Sequence, residues 1–412
     1  MVRNHLFTGQ APGTGSHIET DSTANLQLSP LERPIRIRNI TLTNLHGLFS
    51  TISSQFFNNS RVTTYRPLPG GHIHRTFVVQ MEHLEYSKQY IFQNVNTDIF
   101  SDPESIMHNI SILSRHLEMK KNAVPRYDLD ILSPKQTLYS SNGVWFEGSY
   151  WRVFPYFANA LCLNRVNDLR VAESAGKAFG HFLYHLSELD ASKLRDILPG
   201  FHSGSLRVKQ FQDALDQDRA KRIKCAPSAT RKTIADVQNA LDLLLEFDRI
   251  KENLPKRVIH HDAKLNNVLL NKDTFQPISV IDLDTVMSGT VLSDFGDLVR
   301  SLSSSHSEDN PRPSNLEIDM DIYKAVSHGF LKQAHPILIQ QEIDHLVLGA
   351  QAITLMVAVR FLTDYLNGDQ YFQTDYPEHN LVRTVNQMAL FRALEKREAE
   401  LLDILESFFV SL

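Results

Sequence analysis

The 412-residue sequence predicts an α+β fold of two lobes, a small β-rich N-terminal lobe and a larger, mainly helical C-terminal lobe. Three observations lead there. Up to about residue 156, short extended runs are punctuated by Gly, Pro and Asn turn signals. Beyond it, long stretches carry apolar residues at helical spacing. Within the helical half, two short strands bracket a dense polar cluster between His260 and Asp282.

Taken in order, residues 8–30 are rich in Thr, Ser, Gly, Asn and Gln, so residues 1–44 are expected to be a flexible tail. Residues 45–155 form the expected N-terminal lobe. It opens with an amphipathic helix at Leu45–Phe57, then the turn Leu68-Pro-Gly70-Gly71-His72 running into a β-rich segment to Gln80. Gln89–Asn94 reads as the next strand. Asp102-Pro103-Glu104 is a helix start, with an N-cap, a first-turn proline and an acid near the positive end of the helix, and that helix should run to about Lys120. Asn142-Gly143 signals a hairpin turn, and Trp151–Phe157 a strand leading into a linker. Residues 156–412 form the expected C-terminal lobe, with helices near 167–187, 207–222, 229–251, 314–333, 340–366 and 380–408 and strands at Arg257–His260 and Ile278–Ile281. No internal repeat occurs. A cleft between the lobes is the natural ligand site.

Composition narrows the function. Hydrophobic residues make up 42% of the chain, enough for a sizeable core, and the formal net charge of −5 argues against general nucleic-acid binding. Cys162 and Cys225 have no paired metal spacing, which fits a reduced, cytoplasmic setting. Met1–Gln10 lacks the apolar core of a secretory signal. The longest apolar run, Ala352–Val359 between Gln351 and Arg360, is shorter than the roughly 20 residues a membrane span needs. A soluble protein with no membrane partner is expected.

The chemistry lies in His260-x-Asp262-x-Lys264-x-x-Asn267, followed by Ile281-Asp282-Leu-Asp284. Phosphoryl transfer to a hydroxyl needs a carboxylate to orient the acceptor and take its proton, and a metal with fixed ligands to neutralise the phosphates. Asp262 supplies the first. Asn267 and Asp282 are oxygen ligands of the kind hard Mg²⁺ prefers. Lys264 offers a point charge to the transferring phosphate. Asp284 has two readings, a second metal ligand or an orienter of the loop. Asp294-Phe-Gly296 copies a kinase metal triplet. Asp282 is nearer the motif and sits at a strand end, so the metal is assigned to Asp282, while Asp294 and Asp297 are expected to cap and support the helix that follows.

These residues resemble the aminoglycoside phosphotransferase and choline kinase superfamily, whose members share a protein-kinase-like two-lobed fold. The chain is most similar to one branch, the N-acetylhexosamine 1-kinases, from about Thr64 to Arg397. The matching stretches are Gly71-His-Ile73, Tyr90-Ile-Phe-Gln93, Asn96-Thr97 with Phe100, Trp151-Arg-Val153, Lys264-Leu-Asn-Asn267, Ile281 to Met287, Asp294-Phe-Gly-Asp297, Arg360-Phe-Leu362 and Tyr376 to Thr384. The resemblance implies transfer from ATP, with Mg²⁺, to the anomeric hydroxyl of N-acetylglucosamine or N-acetylgalactosamine. It implies Asp262 as base, Asn267 and Asp282 at the metal, and His72, Arg360 and Tyr371 around the sugar. Each sugar residue also has a structural reading: His72 as a turn cap, Arg360 as the ion-pair partner of an acid such as Asp364, Tyr371 as packing. Gly70 and Gly71 give the tight backbone of the nucleotide side.

The chain departs from the branch pattern at His261, where a smaller residue is usual, at His74, where Asn is usual, and at Ser301, where an aromatic is expected. Gln93 stands where protein kinases carry a phosphate-binding lysine, either touching a phosphate or pairing strands. Competing expectations are a kinase of the same fold for another sugar, an amino alcohol or an aminoglycoside, and a catalytically dead binding module. Arg360 and His72 disfavour a polycationic acceptor, and the presence of Asp262, Asn267 and Asp282 disfavours a dead site.

Overall fold

A computed structural model of the chain describes residues 45–69, 73–224, 226–305, 308–310 and 316–410. The expected tail, Cys225, and Gly70, Gly71 and His72 of the glycine turn lie outside these residues.

The N-terminal lobe starts with α1 (Leu45–Phe56), which lays Leu48, Phe49, Ile52 and Phe56 on one face. That face covers a sheet built from β1 (Ser60–Pro67), β2 (Arg75–His83) and β3 (Ser87–Val95). Helix α2 (Pro103–Lys120) follows, capped as its sequence predicts by Asp102 accepting from the Ser105 N–H. Strands β4 (Val144–Phe146) and β5 (Ser149–Pro155) complete an antiparallel sheet of order β1-β2-β3-β5-β4. Phe49 is fully buried, with its ring 5.0 Å from Phe77, 5.8 Å from Phe92 and 6.0 Å from Trp151. Burying such a side chain contributes about 1.5–3 kcal/mol. Register matters for the site: Thr76 pairs with Gln93 and Gln93 with Arg152, so the three lie side by side on one face of the sheet.

One hairpin differs from expectation. The turn is Glu147-Gly148, both at positive φ (47° and 73°), between β4 and β5, rather than Asn142-Gly143. Asn142 is drawn away because its amide donates to the Ser111 hydroxyl of α2.

The C-terminal lobe begins with β6 (Ala160–Leu161) and α3 (Leu169–Leu186), followed by α4 (Gly204–Gln217). The single helix expected over 229–251 is two, α5 (Ser228–Gln238) and α6 (Leu241–Glu252), parted at Asn239, whose side-chain amide favours helix ends over interiors. Next come β7 (Arg257–Ile259), β8 (Val268–Asn271), β9 (Pro277–Val280), β10 (Met287–Gly289) and α7 (Val291–Leu302). The chain closes with α8 (Met320–Ala334), the short α9 (Gln340–Asp344), α10 (Leu346–Leu366), α11 (His379–Lys396) and α12 (Glu398–Val410), so the stretches 340–366 and 380–408 are each two helices.

Helix α3 packs on α8 at backbone distance. A Cβ on Gly329 would stand 2.1 Å from the Glu173 carbonyl, so no side chain fits there. Helix α10 is long and apolar enough by composition to cross a membrane, with mean hydropathy 1.8, but 78% of its apolar window is buried inside the lobe, where it is the central core helix. The apolar run therefore exceeds the one read between Gln351 and Arg360. Gln351 is buried too and donates its amide to Glu398.

Candidate active site

Strand β7 delivers the motif loop, and a short 3₁₀ turn at Leu265–Asn267 returns it into β8. That turn brings Asn267 back over Asp262: its amide Nδ2 donates to the Asp262 carbonyl and to Oδ2, both at 2.9 Å. Lys264 Nζ lies 2.8 Å from the same Oδ2. Oδ1 of Asp262 takes no donor among the described residues and remains free for a ligand proton. Burial pushes the Asp262 carboxyl up, but the charge and hydrogen bond of Lys264, with His260 and Asn267, outweigh it and hold the group below the ordinary carboxylate value. It is therefore ionised near neutral pH and acts only as an acceptor.

The loop backbone is held from beneath. Asp294 lies within the first turn of α7, after the N-terminal flanking residue Thr290, so it does not cap that helix as expected. It accepts instead from two backbone N–H groups of the loop, His260 N at Oδ2 and His261 N at Oδ1, both at 2.7 Å. His261 has φ 64°, a backbone that most side chains avoid, and the two bonds from Asp294 help fix it. The Thr285 hydroxyl donates to the His260 carbonyl at 2.7 Å, and Asn109 of α2 donates to the Val286 carbonyl at 3.0 Å. Burial pushes the Asp294 carboxyl up to about 6. Asp297 is paired with Arg300 at 2.7 Å.

Asp282 follows β9 at φ 59°, ψ 56°, and is exposed. No donor or cation meets it among the described residues. The surrounding protein and the nearby carboxylates Asp284 and Asp262 push its carboxyl up, with Lys264 and His74 opposing. A carboxylate without a partner, beside other carboxylates, suits a divalent cation. Asn267 fits as well, since its amide nitrogen is committed to Asp262 and its Oδ1 takes no donor among the described residues. Among those residues no group of three or more His, Cys, Asp or Glu side chains would hold a metal alone. Two protein oxygens completed by substrate phosphates is the usual arrangement for Mg²⁺.

Asp284 has a different environment. Its Oδ1 lies 2.7 Å from Arg152 Nη1, its Oδ2 2.8 Å from Nη2, and His74 Nε2 is 2.5 Å from Oδ2. Burial raises the Asp284 carboxyl, but Arg152 and His74 overcome that and hold it well below the carboxylate range. His74 Nδ1 accepts from the Asn96 N–H at 3.0 Å, which leaves Nε2 to donate to Asp284. The departure from Asn at position 74 thus adds an imidazole link between the N-terminal sheet and the metal-side loop. Gln93 Oε1 accepts from Arg152 Nε and Nη2 at 2.8 and 2.6 Å, and its Nε2 donates to Thr76 at 3.0 Å. Arg152 lies in the matching stretch Trp151-Arg-Val153, but nothing local there marks Asp284 as its partner, 132 residues away.

Arg360 and Tyr371 come together at a cavity of about 520 Å³, with Phe201, Arg207 and Phe372 among its lining. The Arg360 guanidinium sits 5.0 Å over Phe201, 5.5 Å over Tyr371 and 5.4 Å over Phe372. It does not pair with Asp364, whose oxygens accept from the Gln370, Tyr371 and Phe372 N–H groups and the Asn380 amide. The Phe201 ring also lies 6.3 Å from His261, which joins this cavity to the loop that carries Asp262. Ser301 only returns its hydroxyl to the Leu298 carbonyl. Nothing local in the sequence marks Phe201 or Arg207, which stand far from the motif along the chain.

A family model described as "Phosphotransferase enzyme family" matches residues 64–317, more than half of the chain. Among solved structures, the chain is similar to a microcompartment-associated aminopropanol kinase (18% identity, TM-score 0.56, covering 85% of this chain and 98% of that one). It is similar to an aminoglycoside phosphotransferase from Alicyclobacillus acidocaldarius (12%, TM-score 0.56, 88% and 96%). It is also similar to a spectinomycin phosphotransferase in complex with ADP and spectinomycin (14%, TM-score 0.51, 90% and 99%). At these identities the likeness concerns the fold, which is the protein-kinase-like fold of two lobes.

Proposed function

The chain belongs to the phosphotransferase enzyme family, and from that premise we propose that it is an ATP-dependent kinase of the cytoplasm that phosphorylates the anomeric hydroxyl of an N-acetylhexosamine, with Mg²⁺ as its metal. The observation that carries the reading is Asp262, ionised, with one oxygen held by Lys264 and Asn267 and the other free to take a hydroxyl proton. The anomeric hydroxyl is the most acidic of a sugar's hydroxyls, so a carboxylate is an adequate base for it when donor and acceptor are held in line.

Bound Mg²⁺–ATP supplies the phosphoryl group and the neutralisation of its charge. Asn267 and Asp282 are the metal ligands in this reading. Asp284, its oxygens already engaged by Arg152 and His74, positions the metal-side loop. Lys264 meets the transferring phosphate while fixing Asp262. Gly70, Gly71 and Gln93 form the nucleotide side, Gln93 by aligning β3 with β5 through Arg152. His72, Arg360 and Tyr371 grip the sugar, where the guanidinium fork suits ring oxygens or the acetamide carbonyl. Because a shift of about 1 Å can cost on the order of 100-fold, that grip selects the hydroxyl.

A pocket for an amino alcohol or aminoglycoside, both cationic, calls for carboxylates. The cavity beside Phe201 is lined by Arg207 and Arg360, while its carboxylates are Asp364, engaged by four protein donors, and the exposed Asp213, which favours the sugar. The test is a transfer screen over N-acetylglucosamine, N-acetylgalactosamine, plain hexoses and amino alcohols, with phosphorus–proton coupling read on the product. Phosphate on the 6-oxygen, or rapid phosphorylation of a 1-O-methyl glycoside, overturns the 1-kinase assignment and leaves the broader kinase one.

A further inference from the structure

The cavity beside Phe201 holds more positive charge than a neutral sugar requires. Arg207 of α4 and Arg360 of α10 both line it. Arg207 donates from Nη1 to Gln210 at 2.7 Å and from Nη2 to the Phe201 carbonyl at 2.8 Å, while its Nε is buried with no acceptor. The Arg360 guanidinium lies over three aromatic faces, Phe201, Tyr371 and Phe372. Among the described residues neither guanidinium has a carboxylate at ion-pair distance. Asp364 borders the cavity but is saturated by the four donors named above, and Asp213 and Arg219, also on the lining, are exposed and of opposite sign.

Other groups nearby add no negative charge. Burial, then His261, Arg360, Lys251 and Arg207, depress His202 well below its ordinary value, so that imidazole stays neutral. Lys251 is paired with Asp248 at 3.0 Å. Burial, followed by Arg360, lowers Arg207 to about 10, with Tyr371 opposing. Arg207 also lies in the first turn of α4, at the positive end of a helix dipole, where a cation is disfavoured. Two half-buried like charges, one with an orphaned donor, form an arrangement that a protein leaves incomplete where a ligand completes it.

We infer that this pocket takes an anionic substituent, a carboxylate carried by the acceptor away from the hydroxyl that Asp262 serves, and that Arg207 together with Arg360 recognises it. The inference rests on the sugar-kinase reading of the same site and narrows its substrate class to N-acetylhexosamines bearing an acid group. The guanidinium fork matches a planar carboxylate with paired donors, and an anion would give the Arg207 Nε an acceptor while neutralising the mutual repulsion. Phe201, packed under Arg360 and beside His261, sets the acid on the far side of one aromatic ring from the catalytic loop.

The test compares two acceptors of nearly equal shape, the 6-carboxylic acid of N-acetylglucosamine and its 6-carboxamide. The wild-type enzyme is expected to favour the acid in kcat/KM by about tenfold to a hundredfold, the measure of one charge-assisted hydrogen-bonded pair, and the preference should shrink with added salt. In Arg207→Gln the ratio of acid to amide should fall toward one, whereas a purely structural role for Arg207 would lower both substrates alike and leave the ratio. Arg207→Lys, which keeps the charge, should retain part of the preference. A wild-type ratio of one or less overturns the inference while leaving the kinase reading intact if both sugars are phosphorylated. If neither sugar accepts phosphate and an amino alcohol does, the sugar reading fails. In that case calorimetric binding of the acid against the amide decides the pocket by itself: preference for the acid supports an anion site, and equal or absent binding of the two refutes it.

Discussion

Asp262, Asp282 and Asp294 are three aspartates with three different surroundings, and the task proposed for each follows from what meets its carboxylate. Asp262 is ionised and keeps a free oxygen, so Asp262→Asn should cut turnover by about 100- to 10,000-fold, the usual loss of a positioned base, with the melting temperature little changed. Calorimetric ATP binding should survive, and near wild-type turnover would remove Asp262 from the base role. Asp282 has no protein partner, whereas both oxygens of Asp294 are engaged by loop N–H groups. Asp282→Ala should therefore raise the Mg²⁺ concentration needed for half-maximal rate. Asp294→Asn can accept only one of the two N–H groups, so it should lower the rate through the misplaced loop and leave the Mg²⁺ midpoint unmoved. A Mg²⁺ defect confined to Asp294→Asn would reverse the two assignments.

At the scale of elements, the N-terminal sheet and the metal-side loop meet at Asp284, through the buried Arg152 ion pair and the His74 imidazole. The register of β2, β3 and β5 places Thr76, Gln93 and Arg152 in a row, and that row ends on Asp284 after β9. The pair lies where neither partner reaches water, since Arg152 and Asp284 are both almost fully buried. Removing one member leaves the other charge uncompensated, a loss of about 3–5 kcal/mol. Arg152→Met, which keeps the volume, should lower the melting temperature by several degrees and weaken ATP binding more than sugar binding. Unchanged thermal stability would mean that His74 alone neutralises Asp284. Nearby, α2 supports the same loop through Asn109, so the helix inserted between β3 and β4 acts as a strut rather than as packing alone.

For the molecule as a whole, acid is the sensitive direction. Burial, then His260 and Lys251, bring His261 down to about 3, so the folded protein refuses a proton that the unfolded chain accepts near pH 6.5. Stability is complete above that value and is lost as the pH falls from about 6.5 toward 3, by a few kcal/mol for the one group. His202, also depressed by burial, acts in the same direction. Asp294 acts in the opposite one: its value near 6, above the ordinary 3.8, contributes stability below pH 4 that disappears as pH rises through 6. Asp282 and Asp297, also pushed up by burial, act with Asp294, but His181 and His185, depressed by burial, and the carboxyls of Asp262 and Asp284, held low by their cationic partners, act with His261 and His202, so the loss toward acid should prevail. Melting temperatures between pH 7 and pH 4 should fall for the wild type and fall less for His261→Gln. An identical slope in the variant would show that His261 does not carry the acid response.

By itself the sequence determined what is local or periodic. The motif from His260 to Asn267 lies within one turn and two strand ends, so its residues are legible in the sequence as one cluster, whereas the contacts of Asn267 and Lys264 with Asp262 are seen only in the structure. Helical periodicity marked most of the C-terminal lobe, and the Asp102-Pro103 start marked α2 to its ends. The tertiary structure decided what depends on long-range register and packing. Asn142-Gly143 lost the hairpin to Glu147-Gly148 because α2 claims the Asn142 amide. Asp294 turned from a helix cap into a clamp on a distant loop. Arg152 found Asp284 through strand register, and Arg207 was brought beside Arg360 only by the packing of α4 on α10. Spacing within an element is written in the order of residues, whereas the meeting of two elements depends on which faces bury together, and no short segment carries that information.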